Sequence, residues 1–216
     1  MIAAARAVHS GSLRAEHVLH VDYYRAEVDG LRGIAILAVI AFHAFPTYFP
    51  GGYVGVDVFF VVSGYLISSI LLRNLERSTF TFSQFYARRI RRIFPALVLV
   101  LAACLTFGAI ALLPGELQEL GKHIASASVF LSNFTLWQEA GYFDRASELK
   151  PLLHLWSLGI EEQFYLIWPM LLLWLWKLQP HRIVPYVLVL TLGSFAASLV
   201  IEPRSGVANF YLPFSR

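Results

Sequence analysis

Charge is what this sequence has least of. Of its 216 residues, 14% are Asp, Glu, Lys or Arg, while 57% are hydrophobic. A soluble domain carries about a quarter charged residues, so a soluble single domain is excluded. Disorder is excluded too, because it requires low hydrophobicity. There is one cysteine, Cys104, which rules out an intramolecular disulfide framework and a cysteine-rich zinc site. On its apolar stretch it is expected to pack. No phosphate-binding glycine loop, no His-Glu-x-x-His and no Gly-x-Ser-x-Gly occurs, so the chemistries those motifs serve have no foothold. No repeat or low-complexity tract appears. Seventeen basic against fourteen acidic residues leave +3, too little to mark a nucleic-acid binder. Neither nucleic acid nor metal is expected.

What is present is long apolar stretches. A membrane-spanning helix needs about 20 such residues. They fall near 31–50, 53–72, 94–113, 154–176 and 183–201, with a weaker one at 121–137 diluted by Lys122, His123, serines and Asn133. The expected fold is all-α, a polytopic transmembrane helix bundle. Residues 1–25 hold Arg6, Arg14, Glu16, Asp22 and Arg25 with no uninterrupted apolar core. They read as a cytoplasmic tail rather than a cleavable signal, with the membrane domain at 26–216. The segment 73–92 carries Arg73, Arg77, Arg88, Arg89, Arg91 and Arg92 against Glu76, which places that loop on the cytoplasmic side. If 121–137 does not cross, Lys177 and Arg182 also fall inside, as the same rule prefers, and the non-crossing reading is favoured.

Ionisable groups inside a membrane cost about 2.5–3.5 kcal/mol each on insertion scales and mark functional sites by default. Arg32 and His43 stand eleven residues apart, three helical turns plus about 20°, hence on one face. Histidine can both take and give a proton near neutral pH; a buried, hydrogen-bonded structural histidine is the bland alternative. Asp57 opens the second stretch among glycines and needs a cationic partner, whereas Gly64 and Ser68 suit close helix packing. In 73–93, Thr81 and Gln84 fit a capping box before an amphipathic helix. Its arginines suit anionic lipid or, bidentately, a phosphate. The fifth stretch places His154, Ser157, Glu161 and Tyr165 on one stripe, with Glu162 beside them. A polar cavity is the cheapest explanation, and structural pairing with an arginine is the alternative. Asn133-Phe-Thr135 fits a glycosylation sequon, a pattern common by chance. Asp144, Arg145, Glu148 and Lys150 read as a solvated charge run.

Together, Tyr24-Arg-Ala-Glu-Val-Asp-Gly-Leu-Arg32-Gly33 with His43, Gly55-Val-Asp57 through Ser68, Arg88-Arg89-Ile-Arg91-Arg92-Ile-Phe-Pro95, Ser132-Asn133-Phe, Gly141-Tyr142-Phe143-Asp144 and Leu152 through Tyr165 resemble the acyltransferase family 3 membrane proteins. The resemblance implies a bacterial inner-membrane, multi-pass O-acyltransferase with a cytoplasmic N-terminus. It implies transfer of an acyl group, usually acetyl, from cytoplasmic acetyl-CoA to a hydroxyl of a cell-surface carbohydrate or glycolipid, such as O-antigen, exopolysaccharide or lipopolysaccharide. Members have about ten membrane helices, so 26–216 would be an N-terminal part of one. The family's Arg-x10-His pattern fits Arg32 and His43. Its Arg-x-x-Arg pattern fits Arg89 with Arg92, and Arg88 with Arg91; the former pair precedes Ile-Phe-Pro and is preferred. CoA phosphates would dock on Arg89 and Arg92 with Arg32 nearby. His43 would act as general base or transient acyl carrier, oriented by Glu161 or Asp57. His154, Ser157, Tyr165 and Glu162 would line the substrate path. The rivals are a proton-coupled flippase of a lipid-linked glycan, which would also use intramembrane His and Glu, and an inactive fragment.

Overall fold

A computed structural model describes residues 25–140 and 150–215, and every described element is helical. The expected tail up to residue 24, Tyr24, the Gly141–Asp144 block, Arg145 and Glu148 lie outside the described residues. The chain divides into two compact units, Met1–Leu66 and Ile67–Arg216.

In the first unit, α1 (Ala26–Ala44) carries Glu27 and Asp29 in its first turn, where the helix dipole favours acidic groups. It begins and ends about five residues earlier than the apolar stretch suggested, because Phe45 turns out of the helix. A 3-10 turn, Gly52–Val54, leads into α2 (Gly55–Glu76). Glycines let this turn lie directly on α1. A Cβ on Gly52 would fall 2.2 Å from the Ala38 carbonyl, and one on Gly55 2.3 Å from that of Ala35. Arg25 Nη1 donates to the Tyr65 hydroxyl at 2.5 Å.

The second unit begins within α2. Next comes α3 (Phe82–Ala111), 30 residues without a break. The amphipathic segment and the apolar span, expected as separate helices, are one. Pro95 lies inside it, at the cost of one backbone hydrogen bond. Thr81 does precede the first turn, but its side chain makes no capping bond, so the expected capping box does not form.

Then α4 (Pro114–Ser128) and α5 (Ser132–Glu139) follow. Proline at the first helical position and Glu116, whose Oε2 accepts from the Leu113 N–H at 3.2 Å, start α4 sharply. It runs back along α3: Leu120 packs over Gly108, and further on the Phe130 ring meets Phe94 edge-on at 5.7 Å. At Phe130 the backbone turns left-handed, with φ of 58°. Then α5 returns until Glu139 reaches Lys122 at 2.6 Å and His123 at 3.2 Å. Both ends of 114–139 therefore lie toward the Ala111 end of α3. The segment leaves α3 and returns on the same side of it.

The long α6 (Leu155–Leu178) descends antiparallel to α3. Leu152, just before it, packs with Leu97, Leu101, Leu120 and Ala127. Lower down, Tyr165 and Leu172 join Ile67, Leu71, Phe85 and Ile183 in a second core cluster. The chain reverses at a 3-10 turn, Pro180–Arg182, into α7 (Ile183–Ile201), and α8 (Gly206–Tyr211) closes the described residues with a final turn, Pro213–Ser215. Three spans are long and apolar enough to cross a membrane: Gly52–Glu76, Phe82–Ala111 and Pro180–Ile201. In α6 the Glu161-Glu162-Gln163 run interrupts the apolar sequence.

Candidate active site

Each unit carries its own share of the ionisable groups. In the first, Arg32 lies on α1 with its guanidinium 4.6 Å from the centre of the Phe59 ring, and its Nε is buried without a hydrogen-bond partner. The ring face offers the cation a weakly hydrated seat. His43 stands in the last turn of α1, exposed, with Nδ1 2.8 Å from the Val39 carbonyl. A carbonyl can only accept, so Nδ1 carries the hydrogen and Nε2 is the basic nitrogen. In the neutral ring, that tautomer leaves the lone pair on Nε2. Asp57 is exposed in the first turn of α2, where the positive end of the helix dipole favours it. Ser63 Oγ is buried without a partner on the same helix.

In the second unit, the four arginines of α3 separate. Arg88, Arg91 and Arg92 are exposed, whereas Arg89 is half-buried and lies 4.4 Å over the Tyr165 ring. The Tyr165 hydroxyl donates to Glu161 Oε1. Glu161 and Glu162 both act on Arg89 electrostatically, as does Arg92 with opposite sign. Glu162 Oε1 is buried and has no hydrogen-bond partner. A buried carboxylate oxygen left open is costly and is suited to receive a hydroxyl or N–H from a ligand.

The expected stripe on α6 is realised in part. Tyr165 reaches Glu161, but the Ser157 hydroxyl donates to the His154 carbonyl at 3.2 Å, a local bond. His154 is the exposed residue preceding the first turn, not an interior helical position. Trp168 Nε1 donates to Ser68 Oγ at 2.9 Å, giving Ser68 a packing role.

Two residues with no expected role proved central. Asn133 is 0% exposed, so the sequon cannot serve as a glycan acceptor in this fold. Its Nδ2 donates to the Tyr211 carbonyl at 3.1 Å, and its Oδ1 accepts from Gln163 Nε2 at 2.8 Å. Gln163 Nε2 also donates to the Phe130 carbonyl at 2.8 Å. The signal in the sequence was the pair of amides in apolar stretches, which polarity alone leaves without an address.

A third polar group lies at the hairpin's open end. Glu119, His123 and Glu139 bring potential metal-ligating atoms within 4.8 Å of one another. Glu139, however, already receives Lys122 at 2.6 Å, Lys150 at 3.2 Å and His123 at 3.2 Å. Two ammonium groups on that carboxylate make it an ion-pair knot ill suited to a cation. Lys150, expected in a solvated run, has a side chain only 10% exposed; the acceptor on α5 draws it in.

A family model described as an acyltransferase domain matches residues 25–216. Among curated relatives, a peptidoglycan O-acetyltransferase, OatA, of Listeria monocytogenes is 39% identical over 79% of this chain and 28% of its own length. The O-acetyltransferase OatA of Staphylococcus aureus is 35% identical over 85% of this chain and 30% of its own. An uncharacterised Haemophilus influenzae protein is 39% identical over 72% of this chain and 62% of its own. The chain thus spans less than a third of the OatA proteins' length. No solved structure matches.

Proposed function

This chain belongs to the acyltransferase family that it matches over residues 25–216, and from that membership we propose that it carries the acyl-transfer machinery of a membrane O-acetyltransferase. The donor is acetyl-CoA. The acceptor is a hydroxyl of a cell-envelope carbohydrate; peptidoglycan enters because two relatives are named for O-acetylation, one of them for peptidoglycan. O-antigen, exopolysaccharide and lipopolysaccharide are the other acceptors of this chemistry. The membrane is the bacterial inner membrane, and the arginine end of α3 faces the cytoplasm, where CoA resides.

The roles follow from the chemistry of each group. Arg89 and Arg92 grip CoA phosphates, and Arg32 is a further candidate cation for phosphate. His43 Nε2 takes the proton of the acceptor hydroxyl as its oxygen attacks the thioester carbonyl. The carbon–sulfur bond then breaks, and the imidazolium returns the proton to the CoA thiolate. A carboxylate stabilises the imidazolium, and Glu161 and Asp57 are its two candidates. Glu162 offers its open Oε1 to a ligand donor. Tyr165, Ser157 and His154 belong to the ligand path.

The observation that supports this reading best is the His43 Nδ1 bond to the Val39 carbonyl, which leaves Nε2 basic. The experiment is CoA release from acetyl-CoA by membranes carrying the full natural reading frame, with an acceptor extract. Release that His43→Ala abolishes supports the assignment. Wild-type-like release by that variant overturns it, and proton-coupled glycan movement without CoA release would replace it with a transporter.

A further inference from the structure

The Glu161–Glu162 turn of α6 is held from its opposite side. Residue 163 lies about 200° around the helix from residue 161 and about 100° from residue 162. Gln163 therefore points away from the Glu161–Tyr165 stripe, toward the tip of the α4–α5 hairpin. There its Nε2 donates at 2.8 Å both to the Phe130 carbonyl and to Asn133 Oδ1. Asn133, 0% exposed, passes the connection to the Tyr211 carbonyl of α8 at 3.1 Å. One turn before Gln163, Gly159 lets the hairpin tip approach: a Cβ there would sit 3.1 Å from the Phe130 carbonyl and 3.2 Å from Asn133 Oδ1. The tip itself is a left-handed, non-glycine residue, a conformation that surrounding structure must hold in place.

Asn133 is fully buried and Gln163 half-buried, so amides left unsatisfied here would be costly. Satisfied as they are, they set one rotation of α6 about its own axis. We propose that Gln163 and Asn133 are positioning residues, which fix the rotation of α6 so that Glu161 and Tyr165 face Arg89. This rests on the reading of Glu161 as a carboxylate on which turnover depends. A misplacement of about 1 Å in such a group can cost on the order of 100-fold in rate.

The test uses the full natural reading frame, purified in detergent, with kcat and KM for acetyl-CoA measured for Gln163→Leu, Asn133→Leu, Glu161→Gln and the pairings with Glu161→Gln. Each Leu variant is expected to lower kcat by about 10- to 100-fold while KM stays within about two-fold. In the Glu161→Gln background the Leu variants should add less than about two-fold, because both act through one group. Losses that multiply indicate only a smaller active fraction and overturn the proposal. If Glu161→Gln falls below detection, the pH profile of kcat decides. A displaced carboxylate moves a limb of the profile, whereas an unmoved profile scaled downward overturns the proposal. Gln163→Asn, an amide one methylene shorter, carries the same test if the Leu variant does not accumulate. Wild-type kcat in the Gln163 and Asn133 variants beside an impaired Glu161→Gln overturns the positioning role alone. Wild-type kcat in Glu161→Gln overturns the reading of Glu161 beneath it.

Discussion

Single side chains in this protein are distinguished by what they touch more than by what they are. Four arginines within five residues of α3 look alike in sequence, yet only Arg89 is drawn onto an aromatic ring beside two carboxylates. Arg89→Ala is therefore expected to raise KM for acetyl-CoA about ten-fold or more, the loss of one charged hydrogen-bonding group. Arg92→Ala should raise it as well, and Arg88→Ala should leave it within about two-fold. Steady-state kinetics on membranes checks all three, and an unchanged KM in Arg89→Ala moves the CoA site elsewhere. Gly55 makes a different kind of claim. A Cβ there would collide with the Ala35 carbonyl at 2.3 Å and the Val39 side chain at 2.9 Å, and backbone yields little. Gly55→Ala should destabilise the first unit by about 1–3 kcal/mol, read as a lower thermal midpoint in detergent. The residues proposed for proton and phosphate chemistry were visible as polar letters in apolar stretches. Asn133 and Gln163 were equally visible, but their meaning needed the hairpin, which brings together residues thirty positions apart.

At the scale of elements, the hairpin is fastened by ion pairs at its open end and by amides at its tip. Burial pushes the His123 imidazole below its ordinary value, against the pull of Glu139. Burial alone would raise the Glu139 carboxyl, but hydrogen bonds from Lys122 and Lys150 and the attraction of His123 outweigh it, and the group ends below the ordinary carboxylate value. Both folded-state values are lowered, so the unfolded chain binds protons first as pH falls, and stability declines on acidification. His123 gives up its share as pH drops below about 6.5, its unfolded value. Glu139 keeps its share until pH falls below about 4.3 and toward its own lower value. The thermal midpoint of the purified protein should thus fall between pH 7.5 and 5, and His123→Gln should flatten that interval. A midpoint that declines equally in the variant would assign the loss to other groups. Helix content, and the bounds of α2, α6 and α7 to within a few residues, were legible because apolar runs and their punctuation are local. The fusion across Pro95 and the division of 121–137 were not: helical continuity and reversal were decided by packing on α3.

For the whole molecule, the helix directions of the second unit make a claim about sides. Residues 115 and 140 lie toward one end of α3, and residues 78 and 179 toward the other. With Cys104, the lone native cysteine, replaced by alanine, Gly115→Cys and Ala140→Cys should react with an impermeant maleimide from one face of the membrane. Ser78→Cys and Gln179→Cys should react from the opposite face. Labelling of residues 115 and 140 from different faces would mean that the hairpin crosses after all.

The hairpin also bears on synthesis. A segment of 26 residues that carries Glu116, Glu119, Lys122, His123 and Glu139 gains too little from lipid to partition by itself. Its seat consists of α3 on one side and α6 on the other, and α6 is made later. The order of emergence therefore separates translation of the hairpin from its burial. Nascent chains halted before residue 155 should leave a cysteine placed at position 127 open to chemical modification, and chains extended past residue 178 should shield it, because Ala127 is buried in the assembled fold. Assembly of the protein then includes a step at which an already translated loop is drawn sideways into the bundle, and variants at Gln163 should lengthen the wait before it.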